Sequence, residues 1–284
     1  MTRPWFTRGL LLVGLLGFVG VVAADDTFKV TVTSLMHATP EALTEGSVFV
    51  GTACPPDPSD PIRVAGMGQG LWVFATHKAN VKLFALGEPA IPALALLAES
   101  GNPFPLATAL RAMGSDWGDV QTVPPAPPQP TDTLHGSILC PGESLTTTVI
   151  ASDDYRYLSL AAMVAPTNDA FVAVTGVRLP DGDEVLTVYA PAYDAGSEYN
   201  DENCDHMPNT NIVNPSRGFP YAMRLGAPEG TTGCLPDQNT PGANVLHGEG
   251  FVHIHSGIHG VGDFIPAVWD WRNPVARITI QRVE

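Results

Sequence analysis

Between Arg178 and Arg217 the chain carries no Lys or Arg, yet Asp181, Asp183, Glu184, Asp194, Glu198, Asp201, Glu202 and Asp205 all fall inside that window. Carboxylates crowded together without cations repel one another, and a hard divalent ion that takes about six to eight oxygens relieves the repulsion. Within the window, Asp194-Ala195-Gly196-Ser197-Glu198-Tyr199-Asn200 offers oxygen donors at alternate positions, with Gly196 free to make a sharp turn. Asp194, Glu198, Asn200 and Glu202 are therefore candidate cation ligands. The aspartate spacing is not that of an EF-hand. The competing reading of such a charge run is a solvated acidic loop.

A second group lies in Gly250-Phe251-Val252-His253-Ile254-His255-Ser256-Gly257-Ile258-His259-Gly260. In a strand, alternate residues share a face, so His253 and His255 can present two imidazoles to one Zn²⁺ or Cu²⁺, with His259 completing the set. The alternative is that these histidines are polar strand residues that orient the following loop through hydrogen bonds. Recognisable catalytic patterns are missing: there is no G-x-S-x-G elbow, no H-E-x-x-H, no phosphate-binding P-loop and no dinucleotide fingerprint. The expectation is a binding protein with no catalytic residues.

The elements that must position these groups read as short strands. Gly and Pro number 28 and 27 among 284 residues, well above the roughly 12% of average usage, which argues against helical bundles and coiled coils. Phe28-Lys29-Val30-Thr31-Val32-Thr33 alternates apolar and polar residues, the mark of a half-buried strand. Further strands are predicted at 71–75, 146–150, 157–164, 170–177, 185–189, 250–255 and 275–283. Helical spacing is confined to 92–99 and 106–113, separated by Ser100-Gly101-Asn102-Pro103. The pattern predicts an all-β fold: an antiparallel β-sandwich of about eight strands with long loops and two short helices packed on one end. The Pro-rich stretch 123–131 reads as a polyproline-II insertion within a single domain covering 25–284.

Net charge is −15, which disfavours nucleic-acid partners and favours cations. Arg3 and Arg8 precede the apolar run Gly9 to Val21 and the small residues Val22-Ala23-Ala24, so residues 1–24 read as a cleavable export signal. That segment is too short for a comfortable membrane span, and no later one is long and apolar enough. The expected location is secreted, periplasmic or elsewhere in the cell envelope. Four cysteines, Cys54, Cys140, Cys204 and Cys234, suit an oxidising compartment. Of the three pairings, Cys54 with Cys140 and Cys204 with Cys234 is favoured because each pair brackets a Pro/Gly/Asn-rich excursion. Closing such loops contributes roughly 3 to 5 kcal/mol each in the chain-entropy model.

Several segments resemble a known family. Leu71-Trp72-Val73-Phe74-Ala75-Thr76-His77, then Leu83-Phe84-Ala85-Leu86-Gly87-Glu88-Pro89-Ala90, then Leu94 to Glu99, resembles the "ATH…LF.vG..a...l..lAE.G...pL" stretch of bacterial spondin-domain proteins. Met163-Val164-Ala165-Pro166-Thr167-Asn168-Asp169-Ala170-Phe171-Val172 is similar to the family's "M..PS.D.fvg" strand. Tyr189-Ala190-Pro191-Ala192-Tyr193-Asp194-Ala195-Gly196-Ser197-Glu198 is similar to its "lyp.DAGTe" motif, and Asn273-Pro274-Val275-Ala276-Arg277-Ile278-Thr279-Ile280 to its closing "P.ARvt" strand. The segments occur in the family's order and cover most of the chain after the signal.

The resemblance implies a β-sandwich of the F-spondin N-terminal type, in a matrix or adhesion setting, with a divalent cation, usually calcium, held by loop carboxylates. Asp169 matches the aspartate of "PS.D" and Asp194 that of "DAG". The family's further acidic ligand has no counterpart, since the corresponding region holds Tyr155, Arg156 and Tyr157, with Asp153 and Asp154 earlier. The resulting expectation is an exported Ca²⁺-binding recognition module with a protein or glycan partner. Its rivals are a metal-dependent hydrolase and a Zn²⁺- or Cu²⁺-binding envelope protein, both built on His253, His255 and His259.

Overall fold

The computed structural model describes residues 25–36, 67–125, 139–165, 167–202, 248–262 and 266–283. Residues 1–24 and Cys54, Cys204 and Cys234 lie outside them. The elements are β1 (Asp26–Ser34), β2 (Gly68–His77), α1 (Pro92–Ser100), α2 (Pro103–Ala112), β3 (Trp117–Val123), β4 (Ser144–Ala151), β5 (Tyr157–Ala165), β6 (Ala170–Arg178), β7 (Val185–Ala190), β8 (Ala192–Asp194), β9 (His253–Ile254), α3 (Pro266–Trp269) and β10 (Ala276–Arg282). They form two antiparallel sheets, ordered β4-β1-β10-β7 and β3-β2-β5-β6-β8-β9. The fold is the expected all-β sandwich.

Alternation decides the first sheet. Phe28, Val30 and Val32 of β1 point inward against Trp72, Phe74, Leu158, Leu160 and Val172 of the second sheet. Outward, Thr31 meets Thr146 at 3.0 Å and Thr33 meets Ser144 at 2.8 Å, so the solvent face is tied by hydroxyl pairs across strands.

In the second sheet, β2 is buried along its whole length and β5 nearly so, because their runs are apolar on both faces. The second face is covered by the helices. Leu94, Leu97, Ala98, Leu106, Ala107 and Leu110 pack on Val73, Ala75, Ala161, Phe171 and Ala173. This corrects the expectation that the helices sit on an end of the sandwich; they form a third layer. Gly101 ends α1 in the left-handed region, its N–H donating to the Leu97 carbonyl, and Asn102 caps α2 by accepting the Phe104 N–H.

Two strands escape sequence reading, β3 and β8. The segment predicted at 250–255 shortens to His253–Ile254. The Pro-rich insertion begins where β3 ends at Val123, and residues 126–138 lie outside the described set. Cys140 is buried and disulfide-bonded, with its partner outside the described residues. No described helix is long and apolar enough to cross a membrane.

At one end of the sandwich Arg156 pairs with Asp26 and, at 3.3 Å, with Asp181, its guanidinium 5.2 Å from the Phe28 ring centroid. Tyr157 lies opposite Arg178, while Met163 lies opposite Phe171. The region aligned with the family's further acidic ligand is therefore at the far end of β5 from Asp169, about 25 Å away along the strand.

Leu97 is fully buried between helix and sheet. Leu97→Ala is expected to cost about 2–5 kcal/mol, read by urea unfolding. A change below about 0.5 kcal/mol, the size of an ordinary surface substitution, would contradict the three-layer packing.

Candidate metal centre

Three strands converge on the site. Thr167 makes the turn before β6: its hydroxyl donates to the Val164 carbonyl at 2.6 Å and accepts the Ala170 N–H at 3.1 Å. Asp169 is thereby delivered to the start of β6. Pairing of β6 with β8 sets Ala170 opposite Asp194, and pairing of β8 with β9 sets Asp194 opposite His253. Asp169, Asp194 and His253, far apart in sequence, come to one corner of the six-stranded sheet.

Both aspartates are 0% exposed. Asp169 Oδ2 accepts the Ser197 N–H at 2.8 Å, the Ser197 hydroxyl at 3.2 Å and the Glu198 N–H at 3.0 Å. Its Oδ1 is buried and has no hydrogen-bond partner among the described residues. Asp194 Oδ1 accepts the Gly196 N–H at 2.7 Å, and its Oδ2 accepts an amide hydrogen from Asn200. Among the described residues neither carboxylate has a Lys or Arg partner; the basic groups nearest Asp194 Oδ2 are His253 Nε2 at 3.8 Å and His255 Nε2 at 3.9 Å.

Burial pushes the Asp169 carboxyl up to about 8, and the charge of Asp194 adds to the shift against the hydrogen bonds from Glu198 and Ser197. Burial also raises Asp194, opposed by its bonds from Asn200 and Gly196 and by His253, while Glu249 pushes it further up. Two carboxylates held out of water with no Lys or Arg among the described residues to balance them form a site that favours a cation.

The loops close on each other through glycines. Gly196 has φ +68°, and a Cβ there would lie 2.4 Å from the Phe251 carbonyl oxygen; a Cβ on Gly248 would lie 2.4 Å from the Gly196 oxygen. The Gly250 N–H donates to that same oxygen at 2.8 Å. This approach seats residues 248–251 beside the Asp194 turn, where Asp194, Glu249 and His253 place one ligand atom each within 4.8 Å of one another. The described residues thus hold a group able to bind a metal ion.

His253 is half-buried, and its Nδ1–H donates to the Phe251 carbonyl at 3.3 Å, which turns the Nε2 lone pair toward Asp194. His255 is used differently. Its Nε2–H donates to Asn200 Oδ1 at 3.2 Å and its Nδ1 accepts the Gly257 N–H at 3.0 Å, with the ring 4.9 Å from Trp271. Burial pushes this imidazole down to about 4, assisted by His253 and His259 and opposed by Asp270. Both its nitrogens are committed, so it orients Asn200, which in turn holds Asp194. His259 is exposed, with Nε2 2.7 Å from the Ser256 hydroxyl, and does not join the converging donors.

The remaining candidates separate in the same way. Glu202 is buried, with its carboxylate accepting the backbone N–H groups of His259, Gly260 at 2.7 Å and Val261 at 3.0 Å, so it clamps that loop. Glu198 is buried and contributes its N–H to Asp169. Asn200 turns its amide nitrogen, not its oxygen, toward Asp194. Glu249 is absent from the sequence expectations. It lies beyond the acidic window, and the only local signal is its position four residues before His253.

No family model matches the chain, and no characterised protein matches it.

The raised Asp169 value sets a pH dependence. An unfolded aspartate ionises near 4, whereas Asp169 keeps its proton to about 8, so the folded state binds the extra proton in between and stability falls as pH rises. His255 has the opposite slope, losing stability as pH falls from its ordinary value toward 4, so above about 6.5 it no longer opposes Asp169, and the raised Asp194 acts in the same direction as Asp169. Without divalent ions, stability is expected to drop by about 2 kcal/mol between pH 6.5 and 8. Asp169→Asn should flatten that drop; an equally steep drop in the variant, by urea unfolding, would contradict the assignment.

Proposed function

We propose that the protein is an exported, spondin-like β-sandwich that binds a divalent cation where β6, β8 and β9 meet, and that serves as a recognition module for a protein or glycan partner. The observation that carries the reading is the convergence of Asp194, Glu249 and His253 on one point, beside a second buried carboxylate, Asp169, whose Oδ1 has no hydrogen-bond partner among the described residues. The sandwich fold and the adjacency of Asp169 and Asp194 support the spondin resemblance, whose ion is calcium. In this reading the cation neutralises the buried carboxylates and locks residues 192–202 and 248–262 into one surface.

A metal-dependent hydrolase is the second reading, favoured by the small number of protein donors among the described residues, which leaves coordination positions for water. The two separate on turnover. In a recognition module, ester and phosphoester substrates are not hydrolysed by the metal-loaded protein.

Thermal unfolding of the chelator-treated protein tests cation binding. At 100 times Kd a specific ion stabilises by about 2.7 kcal/mol, a rise of several degrees in Tm for a domain of this size. Asp194→Asn should abolish the ion-dependent rise. A wild-type Tm indifferent to every divalent ion would contradict the proposal.

A further inference from the structure

We infer that the centre selects a borderline first-row ion of the zinc class over calcium, an inference that rests on the proposal that a cation binds there. Calcium takes about six to eight oxygens and draws little from imidazole. At this corner most of the oxygens that would supply them are already engaged, Asp169 Oδ1 being the one buried oxygen without a hydrogen-bond partner among the described residues. Asp169 Oδ2 accepts three hydrogen bonds, the Glu202 carboxylate accepts three, and Asn200 Oδ1 accepts from His255.

Among the described residues the donors that converge are Asp194 Oδ2, a Glu249 carboxylate oxygen and His253 Nε2. A carboxylate oxygen has two lone pairs, and Asn200 uses one on Asp194 Oδ2, leaving the other for an ion. One imidazole nitrogen with two carboxylate oxygens is a zinc-type donor set, three protein ligands among the described residues. Zinc bonds of about 2.0–2.1 Å at the tetrahedral angle set donors about 3.3 Å apart. The observed 3.8 Å between His253 Nε2 and Asp194 Oδ2 needs only a small closure to match.

The outer contacts suit the same ion. His253 Nδ1–H is anchored on the Phe251 carbonyl, the arrangement that fixes the tautomer and raises the basicity of a ligating histidine. Asp194 is held from the other side through Gly196 and through the Asn200–His255 pair, so the buried ligand is pre-positioned. His253 and Glu249, at the more exposed rim, are free to close on the ion.

Calorimetric titration of the chelator-treated full chain with Zn²⁺ and with Ca²⁺ at pH 7 tests the selection. Zn²⁺ is expected to bind at least about 100-fold more tightly than Ca²⁺. His253→Ala and, at an exposed position where folding is not at stake, Glu249→Gln should each weaken Zn²⁺ by at least about tenfold. Ca²⁺ binding as tightly as Zn²⁺, or Zn²⁺ affinity unchanged in both variants, would overturn the inference while leaving a cation site standing. Failure of both ions to bind would overturn the underlying proposal as well.

Discussion

Two carboxylates buried side by side, with no Lys or Arg beside them among the described residues, are the constraint on which the site depends. In water their repulsion would be slight, but at a corner of low dielectric it is strong, and removal from solvent costs more still. The chain meets part of that cost with backbone N–H groups from Gly196, Ser197 and Glu198, which supply partial positive charge without a basic residue. Among the described residues one oxygen of Asp169 remains without a hydrogen-bond partner, so their compensation is incomplete. A proton or a metal ion can complete it, and the proximity of Glu249 and His253 favours the metal.

The fold makes this arrangement by pairing short strands at the edge of a sheet that is rigid elsewhere. β2, β5 and β6 are covered on one side by the first sheet and on the other by α1 and α2, so the start of β6 is fixed on both faces. β8 and β9 are only three and two residues long and extend that rigid edge just far enough to set Asp169, Asp194 and His253 on successive strands. Carboxylates that look alike in sequence take different work: Asp194 faces the convergence point, Glu202 clamps the 259–261 amides, and Asp270 accepts the Ile258 N–H. The loop that follows His253 is thus held by acidic residues, Glu202 among them, whose oxygens are engaged with backbone amides.

Much of the framework is legible from local pattern. Alternation in 28–33 identifies β1, the doubly apolar run 71–75 identifies β2, and helical spacing with Gly101 and Asn102 between identifies α1 and α2. What local pattern does not show is which layer the helices join, since that depends on the second apolar face of the sheet. β8 is hidden because three residues between Pro191 and the Asp194 turn carry too little periodicity. His253 and His255 both lie within 4 Å of Asp194 Oδ2, although β9 ends at Ile254. The roles of the two differ because Asn200 and Gly257 occupy both nitrogens of His255, a tertiary contact invisible in the spacing. Glu249 is missed for a related reason: its relation to Asp194 exists only once β9 pairs with β8.

The most direct measurement of the central claim is an anomalous difference map, collected at the zinc edge from crystals of the protein grown with Zn²⁺. The account predicts a peak at bonding distance, about 2.0–2.2 Å, from Asp194 Oδ2, a Glu249 carboxylate oxygen and His253 Nε2, with His255 still bonded to Asn200. Zinc found on His259 or elsewhere, with those three side chains unliganded, would contradict it.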